Sequence, residues 1–268
     1  MYNMRIRINS EQGKTLALSE HRHERVSLVY PNEYQKGDKI CLETNEKGHY
    51  FIKFDEAIPE TLIYVDKFET GGLALFNVPY AEEKKCYSPK AFYGGIHVLT
   101  ARKATKDEIN IYRNLALNPY DRHTNVGFYP HVSANIETRN EVVFAGRNAI
   151  DGVFENLSHG NYPYCSWGVN RDPNAALTLD FGRNVQIDKI RITLRADFPH
   201  DNYWTEGEIK FSDGSVEKLF FEKTTISQEF TIKNRIIKSL EFTNLIKSNE
   251  ISPFPALRQI EVFGTDVL

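Results

Sequence analysis

The ten residues RADFPHDNYW, Arg195 to Trp204, place an arginine, two aspartates, a histidine and a tryptophan directly behind an alternating run, QIDKIRITLR. A saccharide presents apolar C–H faces and a fan of hydroxyls. A site for one therefore needs an aromatic platform beside planar donors and acceptors. Arg195, Asp197, His200, Asp201 and Trp204 supply all of these at once. An arginine beside a carboxylate also holds hydroxyls in fixed geometry, because the guanidinium fork is rigid. The competing reading is an ion pair from Arg195 to Asp197 or Asp201 that fixes a corner, with Trp204 filling a core.

A second polar and aromatic stretch, VFENLSHGNYPYCSWG, carries His159, Asn161, Tyr162, Tyr164 and Trp167. Long loops rich in aromatics act as binding rims or pack on themselves. Other chemistry is thinner. His21 and His23 share one strand face, but no third metal ligand accompanies them, and Cys165 near His159 lacks a group that would orient the imidazole. The chain contains no G-x-S-x-G, no H-E-x-x-H, no phosphate-cradling glycine loop and no dinucleotide fingerprint. Loop carboxylates such as Asp197 and Asp201 could hydrolyse a glycoside only if held about 5–10 Å apart, a distance that sequence does not fix.

The elements that must position these groups are strands. Seventeen Phe and 14 Tyr against 2 Met lean toward β structure, and a chain of 268 residues is long enough for two cores. The net charge of −3, with lysine and arginine scattered, offers no basic face for a nucleic acid. No run of apolar residues is long enough to span a membrane, and the start MYNMRIRINS lacks the pattern of a signal peptide. Cys41, Cys86 and Cys165 are odd in number and widely spaced, so the expectation is neither a disulfide framework nor a structural zinc site but a reducing, cytoplasmic setting.

Up to about residue 105, the runs MRIRI, KICLET, HYFIKF, TLIYV, LALFNV and GIHVLTA predict a small β-sandwich or barrel whose role the sequence does not disclose. Thr105 and Glu108 form a capping-box pair, which predicts a short linking helix over 106–113. The turn-rich LALNPYDRHTNVGFYPH marks a boundary at Asn114. Residues 114–268 then read as antiparallel β, with SDGS as a tight hairpin between GEIKF and VEKLFF.

Across 114–268, NAIDG, SW, LTLDFG, IDKIRI, FSDGS and the closing ALRQIEVFG occur in an order that resembles the galactose-binding-like β-sandwich superfamily. The likeness is to discoidin (coagulation-factor type C) domains and family 32 carbohydrate-binding modules. The insertion VFENLSHGNYPYC departs from their pattern. The resemblance implies an antiparallel jelly roll for residues 114–268; with the strand runs of the first half, which resembles no such family, the expectation is an all-β protein of two β-sandwich domains. The resemblance also implies a structural calcium ion held by Asp151 and Glu261, pinning the loop under Trp167, because that hard cation takes oxygen ligands. The residue types clustered in the two loops point to non-catalytic glycan binding through Arg195, Asp197, His200, Asp201, Trp204, Trp167 and His159. A glycoside-active hydrolase and a protein-interaction or assembly module are the alternatives.

Overall fold

The computed structural model describes residues 4–68, 71–196 and 201–267. Its strands, in chain order, are β1 (Met4–Asn9), β2 (Thr15–Leu18), β3 (Arg25–Tyr30), β4 (Lys39–Thr44), β5 (Gly48–Lys53), β6 (Thr61–Val65), β7 (Lys67–Phe68), β8 (Gly71–Asn77), β9 (His97–Lys103) and β10 (Arg113–Asn114). They continue with β11 (Phe128–Tyr129), β12 (His131–Ala134), β13 (Trp167–Gly168), β14 (Leu177–Arg195), β15 (Asp201–Asn202), β16 (Trp204–Phe211), β17 (Val216–Phe220), β18 (Gln228–Lys247) and β19 (Phe254–Asp266). The protein is all-β, as the aromatic and β-branched runs require.

The chain divides into two units: residues up to Ile109 with Asn118–Tyr129, and Asn110–Leu117 with Pro130–Leu268. The first unit holds two antiparallel five-stranded sheets, ordered β2-β1-β4-β8-β7 and β11-β6-β5-β9-β3. Alternation sets their inner faces. In β1 the buried residues are Met4, Ile6 and Ile8, and in β3 they are Val26, Leu28 and Tyr30. Phe54, just past β5, meets Phe76 of β8 at 6.0 Å, so side chains of the two sheets interdigitate as in a sandwich.

Two boundaries differ from the sequence expectation. The helix covers Lys106–Ile109 and not 106–113. Its capping box forms, with Thr105 N–H donating to Glu108 Oε2 at 2.9 Å, but Arg113 and Asn114 are captured by β19, opposite Gly264 and Phe263. A single helical turn cannot compete with strand pairing. Nor does the first unit end before Asn114. Tyr120, fully buried, sits 5.5 Å from Phe54 and 5.7 Å from Phe76, and its hydroxyl accepts Phe54 N–H at 3.0 Å. Phe128 and Tyr129 then pair with Val65 and Tyr64. Gly127 at φ +80° makes this approach possible, because a Cβ there would lie 1.9 Å from Leu73 O.

In the second unit, one hydrogen-bonded path runs β10-β19-β14-β18-β16-β17, with β12, β13 and β15 attached at its flanks. The long strands bend to serve both layers. Leu177 to Asp180 of β14 pair with β12, while beyond a register break at Asp180/Val185 the same strand pairs with β19. Gly264 of the VFG motif is required at this contact: a Cβ would stand 1.9 Å from Gln186 O. The SDGS hairpin forms as expected, with Lys210 opposite Val216 and Gly214 at φ +85°. The core lies between the layers, around Phe181, Ile190, Ile192, Leu194, Phe242, Leu257 and Ile260.

Candidate functional site

Arg195 is the last residue of β14. Leu194 belongs to the core, so the pleat turns Arg195 to the opposite face. Its side chain is nonetheless buried, at 1% exposure. Nη1 donates to Tyr164 O at 2.8 Å, and Nη2 donates to Ser158 O. Nη2 also lies 3.5 Å from Asp201 Oδ2. Asp201 is fixed by the two-residue strand β15, which runs parallel to Phe254 and Pro255 of β19. On its other side Asp201 Oδ1 faces His159 Nδ1 at 3.9 Å. A guanidinium, a carboxylate and an imidazole thus stand in a row.

All three groups line a cavity of about 180 Å³ in the second unit. Its walls come from two tight turns and from β19. Arg139 (φ 54°) lies in the first turn, and Asn170 (φ 49°) and Arg171 (φ 63°) form the second; these are left-handed conformations that a non-glycine residue adopts at a cost. Thr138 Oγ1 ties the turns together by accepting Asn170 N–H at 2.9 Å. Arg139 is held by Glu141 through two bonds of 2.6 and 2.9 Å, and its guanidinium lies 5.2 Å from the centre of the Phe144 ring. The exposed Arg171 sits 4.8 Å over the Phe254 ring, which is itself 42% exposed.

The lining includes three guanidinium groups and, among the described residues, one carboxylate, that of Asp201. Arg139 is compensated by Glu141 and Arg195 by Asp201. Arg171 has no acidic partner among the described residues.

Of the residues expected from sequence, the structure brings Arg195, Asp201 and His159 together on this cavity. Asp197 and His200 lie outside the described residues. The tryptophans are placed differently from the expectation that they offer ring faces to a ligand. Trp167 and Trp204 are 0% and 2% exposed, with ring centres 6.3 Å apart, inside the core. Trp167 Nε1 donates to Ile136 O at 3.0 Å, and Trp204 packs edge-on against Phe242 at 5.9 Å. The reason is a pair of register shifts in β16, at Trp204/Glu206 and Glu206/Glu208, which break the alternation so that Trp204 is buried in the same core as Ile209 and Phe211. Arg139, Arg171, Phe144 and Phe254 were not singled out from sequence. The turn-prone ETRN and VNRDPN hint at the two turns, but nothing local ties them to Phe254.

The two acids expected to hold calcium are each engaged by other groups of the chain. Asp151 Oδ1 accepts the Gln259 amide at 2.7 Å and Val153 N–H at 2.9 Å, with Arg147 and Arg258 each 4.0 Å from its carboxylate. Burial pushes its carboxyl above the ordinary range, while Arg258 and Arg147 pull it down. Glu261 lies opposite Arg191 across the β14–β19 ladder, and the charges acting on it are those of Arg191 and Lys189. Arg147 and Arg258 thus stand beside Asp151, and Arg191 and Lys189 act on Glu261; buried arginines also hold the loop. Arg258, 0% exposed, donates to Cys165 O and to Pro163 O at 3.1 Å, while Arg195 takes Tyr164 O and Ser158 O. Two buried arginines on adjacent strands thus clasp the inserted segment through its carbonyls. Cys41, Cys86 and Cys165 are buried thiols, none of them in a disulfide. Among the described residues no helix is long and apolar enough to cross a membrane.

No protein-family model matches the chain, and no curated protein matches it in sequence. Solved structures do resemble it. Chitosan-binding module 1 of a chitosanase/glucanase from Paenibacillus sp. IK-5 is 16% identical over 56% of this chain and 98% of that one, at a TM-score of 0.37. The family 32 carbohydrate-binding module of C. perfringens NanJ, solved with galactose, is 18% identical over 49% of this chain and 91% of that one, at a TM-score of 0.37. A fucose-binding module of Streptococcus pneumoniae is 14% identical over 56% of this chain and 96% of that one, also at 0.37.

Proposed function

We propose that this protein is a non-catalytic carbohydrate-binding protein whose second unit takes a saccharide in the cavity over Arg195, Asp201 and His159. The observation that carries this reading is the pairing of a rigid polar floor with an aromatic wall. Asp201 and Arg195 are immobilised before any ligand arrives, so hydroxyls meet fixed acceptors and donors at little ordering cost. Phe254 and Phe144 supply apolar surface for the C–H face of a sugar ring. The uncompensated Arg171 favours a saccharide bearing a carboxylate or sulfate over a neutral one.

The test is a glycan array carrying neutral and acidic saccharides, followed by calorimetric titration of the hits. A dissociation constant between about 1 mM and 1 μM is expected for so small a site, with at least a tenfold loss in Arg171→Ala at unchanged melting temperature. Failure of the folded protein to bind any glycan would refute the proposal.

A further inference from the structure

The first unit carries a second concentration of chemistry, on the strand pair β5 and β9. Their register sets Ile52 opposite Ala101 and Lys53 opposite Thr100. Continued past the end of β5, it brings the turn residues Asp55 and Glu56 alongside Val98 and His97. The contact is made: Glu56 Oε1 accepts Val98 N–H at 2.7 Å. One carboxylate oxygen from each acid and one ring nitrogen of His97 all lie within 4.8 Å of one another.

Acidic side chains near a histidine are common without a ligand, and the state of this histidine is what separates the cluster from that background. His97 is 1% exposed, and among the described residues its Nε2 has no hydrogen-bond partner. A buried ring nitrogen left unpaired carries its desolvation cost uncompensated, and natural folds rarely retain one without a use. The hydroxyl of Tyr34, whose ring centre is 4.3 Å from that of His97, is likewise buried without a partner among the described residues.

The carboxylates are held as ligands are held. Asp55, 2% exposed, accepts Ala57 N–H at 2.8 Å on Oδ1 and Phe92 N–H at 2.7 Å on Oδ2, which fixes its orientation and leaves one lone pair on each oxygen. Glu56 spends only Oε1 on the backbone, and its side chain is exposed, so its second oxygen is free to swing toward the other two ligand atoms. Lys84 lies near this group: its ammonium donates to Phe92 O at 2.7 Å and feels the charge of Asp55 and Glu33.

We propose that Asp55, Glu56 and His97 bind a divalent first-row transition-metal ion, with zinc the best fit, which ties the turn after β5 to the start of β9. One imidazole and two carboxylates make a borderline donor set, suited to zinc and manganese and poorly suited to calcium. Three protein ligands leave a fourth position for water.

The test is titration of the intact, chelator-treated chain with zinc chloride, followed by calorimetry and by thermal melting. One zinc ion per chain is expected, with a rise in melting temperature. Glu56→Gln should weaken binding at least tenfold and remove the thermal shift while leaving the circular dichroism spectrum unchanged, since Glu56 is exposed. His97→Gln should do the same, and Glu56→Gln decides the matter if that buried substitution unfolds the protein. The paired variant His21→Ala/His23→Ala should bind like the parent. Absence of zinc binding, full affinity in Glu56→Gln, or loss of binding in the His21/His23 variant would overturn the assignment.

Discussion

Arg195 has two roles, lining the cavity and anchoring the loop, and Arg195→Ala separates them. The substitution strips Tyr164 O and Ser158 O of this donor and leaves the carboxylate of Asp201, 8% exposed, without its guanidinium, facing the half-buried His159 imidazole at 3.9 Å. Removing one partner of a buried pair costs about 3–5 kcal/mol, because the remaining charge stays desolvated. The two carbonyls add less, since a loop freed from its anchor can turn them to water. For a unit of this size each kcal/mol moves the midpoint by roughly 2–4 °C, so the melting temperature should fall by roughly 6–20 °C. Arg195→Ala/Asp201→Ala should recover part of this, because the stranded carboxylate is gone. The assay is thermal and urea unfolding of the parent, both single variants and the double, read as a cycle. A midpoint for Arg195→Ala within about 2 °C of the parent would refute the reasoning and make the guanidinium a ligand group only.

Two further outcomes follow from the same structure. Trp204→Ala removes a ring packed on Trp167 and Phe242 inside the core, and it should cost about 3–5 kcal/mol in urea unfolding whether or not a glycan is present. Glu108 is held down to about 2, first by the hydrogen bonds from Arg102 and then by Thr105. A lowered carboxylate contributes stability that is present above its ordinary value of 4.5 and lost as pH falls toward 2. Because the pair is 27% and 30% exposed, solvent limits the effect to about 0.5–1 kcal/mol. Glu108→Gln should therefore melt slightly below the parent at pH 7, with the gap closing on acidification; a gap independent of pH would contradict the assignment.

Period-two alternation was enough to locate most strands, since one-sided burial in a sandwich is written directly into neighbouring residues: β1, β4, β5, β6, β8 and β9 fall on the runs read from sequence. The SDGS hairpin and the capping box are similarly local, each set by a few adjacent side chains. Arg195, Asp201 and His159 could be picked out by type. Whether they meet depends on β15 pairing with the distant β19, and on carbonyls of the inserted loop finding two buried guanidinium groups. The same limit hid Arg171 against Phe254 and the return of Tyr120 to the first unit's core. Sequence also misplaced the tryptophans, because a tryptophan suits a sugar platform and a sandwich core equally well, and only the register of β16 decides which face it occupies. Residue type and short-range periodicity are properties of the chain itself. The pairing of distant strands, and with it the charge around Asp151 and the company of His97, arises only when the sheets close.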